Sequence, residues 1–370
     1  MDILNEIERY QFKGAPWYSG LAQTGQNPLH HGEGNVWVHT RSVIENLLAD
    51  QDFFCLSVRE QKMLIMAAAL HDIAKPFCTK TIDGEIISPY HAKKGEAEAR
   101  RLIYKYNFME EIFGPISFDE REKICSLVRY HGLPVLFLEK EDPKREILKA
   151  ACEVNTRHLA ILAAADVNGR RCPDKNMLLE NIGLFLETCG EYSCLDGVGE
   201  FPSDTSRLMY FRHGEQYLNY PSNDFSNSQV YMMSGIPAAG KDTYIMKNLS
   251  SLPVISLDGL RKEMDVKPSD NQGAVIQRAR NLAKRLLAKK QDFVWNATNT
   301  TLRIRSGLVD LFLGYRPKIH IIYIEAPYNA VLERNDKRER PVPDYIINKL
   351  ADNLEVPKIW EAQRVIYSVE

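Results

Sequence analysis

Two folds in succession are predicted for this 370-residue chain: a multidomain protein with an all-α domain over residues 1–194, a linker or extension over 195–227, and an α/β domain with a parallel sheet over 228–370. Three observations predict it. All seven cysteines and eight of the nine histidines precede residue 226, a composition break expected at a domain boundary. Before that break, apolar residues recur every three or four positions, the period of a helix that buries one face. After it, short apolar runs, Gly-rich turns and helical stretches alternate, the grammar of a parallel sheet wrapped by helices.

The helical period marks Arg59–Ala74, Ala92–Tyr106, Asp119–Tyr130 and Thr156–Asn168, where β-branched runs are scarce. The extension holds Gly197, Gly199, Pro202, Gly214 and Pro221 among Ser, Asp and Asn. It also holds Tyr210, Phe211, Tyr217 and Tyr220, which predicts that it packs on a neighbour. In the second domain, strands are expected at Gln229–Ser234, Pro253–Leu257, Asp292–Trp295 and Lys318–Glu325, with helices at Ala274–Lys289 and Asn329–Asn335 between them.

Composition narrows the class. With 44% hydrophobic and 26% charged residues, the chain reads as soluble, globular and cored. Its longest apolar run, Met63–Leu70, is too short to span a bilayer, and its acidic start lacks signal-peptide character, so the expected location is cytoplasmic, with no membrane partner. An odd number of cysteines without a C-x-x-C pair argues for reduced, buried thiols and against a disulfide framework or a structural zinc site. The net charge of −2 conceals two opposite halves: residues 226–370 carry 22 Lys and Arg against 16 Asp and Glu, and residues 1–225 carry 25 against 33. The basic surplus of the second half is compatible with a phosphate backbone.

In the first half the chemistry-bearing residues are His39, the pair His71-Asp72, His91, His131 and Asp166. Asp72 ends the most apolar helix, and an unpartnered buried carboxylate costs several kcal/mol by order of magnitude. A bound cation satisfies it, and nitrogen and oxygen donors without thiolates suit Mn²⁺, Fe²⁺, Co²⁺, Ni²⁺ or Zn²⁺. Taken singly, each histidine reads more readily as a satisfied core or surface residue than as a ligand. The order H…HD…H…H…D on consecutive helices resembles the HD-domain phosphohydrolases, including the lead-in Asn27–Gly34, over roughly residues 25–170. The resemblance implies that His39, His71, Asp72 and Asp166 hold one metal, and that His91 and His131, with Asp72 bridging, hold a second. It implies further that Lys75 is a catalytic cation facing the phosphate, and that the reaction is phosphoester hydrolysis.

In the second half, the strand Gln229–Ser234 runs into Gly235-Ile-Pro-Ala-Ala-Gly240-Lys241-Asp242-Thr243 and then a helix. Gly235, Ala238, Ala239 and Gly240 expose backbone N–H groups at a helix N-terminus, and Lys241 reaches the outer phosphates of ATP or another NTP bound with Mg²⁺. Asp242 stands where most such loops carry Ser or Thr. It either holds Mg²⁺ directly or through water, or only caps the helix beside an idle Thr243. Asp258-x-x-Arg261 taken alone reads as a helix cap followed by a surface arginine; placed after a phosphate loop, it is suited to be a base and a phosphate-gripping arginine on one helical face. Arg303 follows Ala297-Thr298-Asn299, and Arg334 and Arg338 lie four apart before Pro343, either as a solvated face or as a lid.

These elements resemble the P-loop polynucleotide 5′-kinases. That resemblance implies Lys241 on the donor phosphates, Asp258 as general base on the 5′-OH, Arg261 and Arg303 on the acceptor phosphate, and Arg334 and Arg338 as lid residues. The two halves together resemble the bacterial HD-Pnk family, which implies a bifunctional end-healing enzyme. It would remove 2′,3′-cyclic or 3′-phosphates and phosphorylate 5′-OH ends of RNA or DNA, with an NTP donor and a separate ligase as further partners. Two alternatives stay open: a nucleotidase fused to a nucleoside or metabolite kinase, and a kinase carrying a non-catalytic HD regulatory module.

Overall fold

Five helices carry the polar cluster of the first half: α1 (Val36–Leu47), α2 (Val58–Leu70), α3 (His91–Tyr106), α4 (Phe118–Tyr130) and α5 (Thr156–Gly169). A sixth, α6 (Lys175–Glu191), packs on α5. Their starts follow from side chains that satisfy the first free N–H groups. Ser57 and Ser117 open α2 and α4 with capping boxes closed by Glu60 and Glu120, while Asn35 and Asn155 cap α1 and α5. In α2 every side chain from Met63 to Leu70 is buried. Gly169 lets α5 approach α1, because a Cβ there would sit 3.0 Å from a Val43 methyl and 3.1 Å from its backbone nitrogen.

The structure, a computed structural model, describes residues 3–12, 16–218, 228–267 and 270–370. It divides into two units, Met1–Glu200 and Phe201–Glu370. Among the described residues no helix is long and apolar enough to cross a membrane.

Two expectations for the first unit are corrected. The helix predicted to run to Ala74 ends at Leu70, and a 3₁₀ turn at Lys75–Phe77 follows, because Pro76 cannot donate to a continuing helix. The unit is also not purely α: Lys80–Ile82 and Glu85–Ile87 form an antiparallel hairpin around Asp83-Gly84, whose φ angles of 52° and 85° are those a two-residue turn of this hand requires.

The stretch predicted as an extension is shared out. The buried Thr156 hydroxyl reaches Cys194 O (3.0 Å) and Leu195 O (2.9 Å), which fastens the chain after α6 to the first unit. Residues 204–213 form helix α7 (Asp204–His213) of the second unit, whose Leu208 is fully buried in the core under the sheet. Residues 219–227 lie outside the described residues.

The second unit is built on five parallel strands: β1 (Gln229–Ser234), β2 (Val254–Ser256), β3 (Phe293–Asn296), β4 (Lys318–Glu325) and β5 (Arg364–Val369), in the order β2-β3-β1-β4-β5. The interior strands β1 and β4 match their predicted bounds, as expected for continuous apolar runs buried on both faces. β5 is not among the predicted strands; it is an edge strand of half-buried and exposed residues whose apolar run, Val365-Ile366-Tyr367, is flanked by Arg364 and Ser368. Helices α8 (Lys241–Asn248), α9 (Leu257–Glu263), α10 (Gly273–Ala288), α11 (Leu302–Leu313), α12 (Tyr328–Asp336) and α13 (Asp344–Asp352) complete the unit. β1 lies where the strand order reverses, and the loop that follows it opens at the carboxyl edge of the sheet, the usual ligand crevice of such folds.

Candidate functional site

The first unit brings the predicted His and Asp residues together. His39 Nε2 lies 2.9 Å from Asp166 Oδ1 and 3.9 Å from Asp72 Oδ2. His71 Nε2 is 3.3 Å from Asp72 Oδ2, His91 Nε2 is 3.7 Å from Asp72 Oδ1, and the Nε2 atoms of His91 and His131 are 3.4 Å apart. Two overlapping triads result, His39-His71-Asp72 and Asp72-His91-His131, and Asp72 belongs to both.

The histidines are aimed by their helix ends. His71 and His131 cap α2 and α4, and His91 opens α3. Each turns Nδ1 to a carbonyl three residues earlier: Ala68 at 2.7 Å, Ser88 at 2.9 Å and Val128 at 2.9 Å. A carbonyl only accepts, so Nδ1 carries a proton in each ring and Nε2 is the atom that faces inward. The Nε2 atoms of His91 and His131 face each other at 3.4 Å, an arrangement that a shared proton or cation satisfies. His71 Nε2 and Asp72 Oδ1 are buried without a hydrogen-bond partner among the described residues. Nitrogen and oxygen donors, buried and convergent, with lone pairs left over, fit a divalent cation.

The electrostatics agree. Burial opposes ionisation of Asp72, yet the Lys75 ammonium at 2.7 Å and the neighbouring His71 hold it well below the usual carboxylate range. Burial likewise opposes ionisation of Asp166, and Arg170, at 2.5 Å, with His39 holds it low. His131 is pushed down to about 3 by burial and then by His71 and His91, so it is neutral. Burial lowers His39, but Asp166 and Glu33 overcome it and raise the net value. Lys75, expected to face a phosphate, is itself buried and spans Asp72 and Gln26 Oε1, the latter at 2.5 Å.

In the second unit the loop after β1 is shaped by its backbone. Gly235, at φ 147°, passes so close to β4 that a Cβ would lie 2.4 Å from Ile324 O. Ala238 and Gly240, at φ 62° and 109°, turn the chain into α8. Lys241 Nζ donates to Gly235 O (2.9 Å) and Ile236 O (2.8 Å), and burial lowers its pKa to about 8 against the pull of Asp242 and Asp258. Asp242 is not a helix cap: Gly240 holds that position, and the Asp242 carboxylate accepts from Asn296 Nδ2 at 2.7 Å. Thr243 is exposed.

The base and arginine of Asp258-x-x-Arg261 are paired with each other, and Arg261 Nε also donates to Gln272 Oε1 at 2.6 Å. Arg334 pairs with Glu370, while the charge of Arg338 is felt at Lys241. The turn that carries Arg338 is closed by the buried Asn335, whose side chain both donates to Val342 O (2.8 Å) and accepts from Val342 N (2.9 Å). Arg303 is exposed in the first turn of α11 and is not drawn to the other predicted residues by any contact among the described ones.

Several working residues escaped the sequence reading. Asn299, 3% exposed and at φ 44°, locks the loop with its side chain on Met233 O (2.7 Å), and its carbonyl accepts from Ser234 Oγ. Arg305 is fully buried, bidentate to Glu361 (2.7 and 2.9 Å), and also donates to Asn299 O and Glu355 O. Arg170 carries a readable signal, since it lies four residues after Asp166 on the same helical face.

Comparison with known proteins bears on the second unit. Residues 230–357 match the family profile described as an AAA domain. The second unit carries a kinase-like P-loop domain. An L-seryl-tRNA(Sec) kinase of Methanococcus maripaludis is 22% identical over 136 residues, 35% of this chain and 53% of that protein, so the chain spans about half the length of this curated relative. A crystal structure of a candidate kinase from Chloroflexus aurantiacus aligns over 39% of this chain and 89% of its own, at 16% identity and a TM-score of 0.34, which is too low to bear on the assignment.

Proposed function

We propose that the chain is a bifunctional nucleic-acid end-healing enzyme, a metal-dependent phosphoesterase joined to a 5′-hydroxyl kinase. The observation that carries the reading is that one chain holds both a buried His/Asp cluster with uncommitted lone pairs and a P-loop with an Asp-x-x-Arg pair beside it in sequence. A strand broken to a 2′,3′-cyclic phosphate and a 5′-OH needs both reactions before a ligase can join it.

In the esterase half, His39, His71 and Asp72, with Asp166 beside His39 Nε2 at 2.9 Å, would hold one divalent ion, and Asp72, His91 and His131 a second. Such ions, when bound, supply a hydroxide at neutral pH and neutralise charge on a phosphoester. Lys75 and Arg170 balance the two carboxylates in the metal-free protein, and Lys75 is the cation nearest Asp72 for a phosphate oxygen to meet. In the kinase half, Asp258 takes the proton of the acceptor hydroxyl as its oxygen bonds the γ-phosphorus and the bond to the β-phosphate oxygen breaks. Lys241 and the backbone N–H groups from Gly240 to Thr243 hold the donor phosphates with Mg²⁺, whereas the Gly235 N–H is taken by Thr298 O at 2.8 Å; Asp242 stands beside that ion, Arg261 and Arg303 hold the acceptor phosphate, and Arg334 and Arg338 close over the donor.

A second reading takes its support from the likeness to the L-seryl-tRNA(Sec) kinase: the acceptor is a hydroxyl carried by an aminoacylated tRNA. Labelled ATP and Mg²⁺ offered with 5′-OH RNA, 5′-OH DNA, seryl-tRNA or free nucleosides separates the readings. Label at oligonucleotide 5′ ends is expected, and label only in nucleosides overturns both. The esterase arm uses oligonucleotides ending in 2′,3′-cyclic or 3′-phosphate with Mn²⁺, Co²⁺, Ni²⁺ or Zn²⁺. Release without added metal and in the presence of a chelator would remove the cluster from the mechanism.

A further inference from the structure

We infer that Glu33 is a positioning residue for the His/Asp cluster, one that holds His39 with Nε2 turned inward; this rests on reading the cluster as a metal centre. The three helix-end histidines take their orientation from backbone carbonyls, acceptors that no side-chain substitution removes. His39 lies inside α1 and brings Nδ1 to a side chain instead, 2.9 Å from Glu33 Oε1, an ion-pair contact that is not aligned as a hydrogen bond. The same oxygen accepts from His31 Nδ1 at 2.8 Å, and the other oxygen accepts the Arg171 N–H at 2.9 Å. His31 and His39 meet edge to face with ring centroids 4.7 Å apart. The segment is clipped a second time where Gly32 N donates to Arg171 O at 3.0 Å.

Every group around this carboxylate is a donor, so only a side chain that accepts at both ends satisfies all of them. A glutamine cannot. With its oxygen toward the histidines, its NH₂ confronts the Arg171 N–H. Flipped, its NH₂ confronts two imidazole N–H groups, and a neutral His39 must then accept at Nδ1 and carry its proton on Nε2, the atom a metal needs. Arg171 also follows Arg170, the partner of Asp166, so Glu33 links the ligand on α1 to the chain segment that holds the counter-ion of the ligand on α5.

The test uses full-length E33Q and E33D with two readouts: Co²⁺ titration followed by visible absorption, and the His39 Nδ1–H resonance in metal-free, ¹⁵N-histidine-labelled protein. For E33Q, Co²⁺ affinity is expected to fall about 10- to 100-fold, the usual cost of losing an outer partner of a metal-bound histidine. The exchange-protected Nδ1–H signal is expected to be lost or displaced, and E33D, which keeps two accepting oxygens, recovers part of both. Far-UV circular dichroism and the melting temperature show that the isosteric variant is folded. Affinity within about twofold of wild type with an unmoved Nδ1–H signal overturns the inference. A wild-type protein that takes up no Co²⁺ overturns the metal centre instead, and the Nδ1–H resonance then decides the Glu33–His39 link by itself.

Discussion

The two units keep their charges in opposite ways. In the first, the anions are fixed and buried: Asp72 and Asp166 are 2% and 1% exposed, and each already touches a cation of its own unit, Lys75 and Arg170. In the second, the cations around the P-loop wait near the surface, Arg261 on the exposed Asp258 and Arg334 on Glu370, while Lys241 rests on two loop carbonyls and only the structural Arg305, among the cations discussed, is buried with its partner. Exposed pairs contribute about 0–1 kcal/mol and exchange partners readily. Buried pairs are far more costly to break. The first arrangement suits a cation that stays, and the second suits a polyphosphate that comes and goes with each turnover.

The largest effect expected from breaking this contrast is at Asp72, the residue common to both triads. Asp72→Ala is expected to take phosphoester hydrolysis to background, a loss beyond the roughly 100-fold ceiling of outer-partner substitutions, while kinase activity is kept. Hydrolysis at the wild-type rate would show that the cluster is not the esterase. Next, Arg305→Met leaves Glu361 buried and unpaired, a change worth about 3–5 kcal/mol. In urea unfolding, only the transition of the second unit should shift; movement of both transitions would break the division into two units. Lys241→Ala is expected to lower phosphoryl transfer about 100- to 1,000-fold with hydrolysis intact, measured on the same preparation.

The smallest effect sharpens the comparison through pH. With its pKa near 8, Lys241 is charged below that pH and loses its proton above it. Bound phosphate favours the ammonium, so NTP binding takes up a proton above pH 8. Affinity is therefore expected to be level below pH 8 and to weaken above it, by at most about tenfold per pH unit. Calorimetric titrations in buffers of different ionisation enthalpy measure the proton uptake, and none at pH 9 would mean that the free loop does not desolvate Lys241.

What the chain discloses in one dimension follows the range of the interactions. The P-loop is legible because strand, glycine turn and lysine are contiguous, and Gly235 is required by a backbone contact that hardly depends on side chains. The His/Asp cluster is legible as an order of residues, but its aiming is not. Nδ1-to-carbonyl bonds arise where helices end, and α2 ends four residues earlier than its apolar period suggests. The hairpin at Asp83-Gly84 carried a readable turn signal, overlooked among helices. Arg305 and Glu361, 56 residues apart, carry no local sign of pairing, since a buried arginine and a surface arginine are spelled alike. Glu33 stood in the motif without a role, because its three donors come from three separate places along the chain.

Asn335 has a consequence for engineering. Its two bonds to Val342 close residues 336–341 into a loop in which every residue is exposed, so this segment is a cassette whose ends are fixed by one buried side chain. Doubling the length of such a loop costs only about 0.6 kcal/mol of closure entropy. The reach of Arg338 and Arg340 can therefore be lengthened or shortened by insertion while α12 and α13 stay anchored, which makes the span of the proposed lid over the donor an adjustable property.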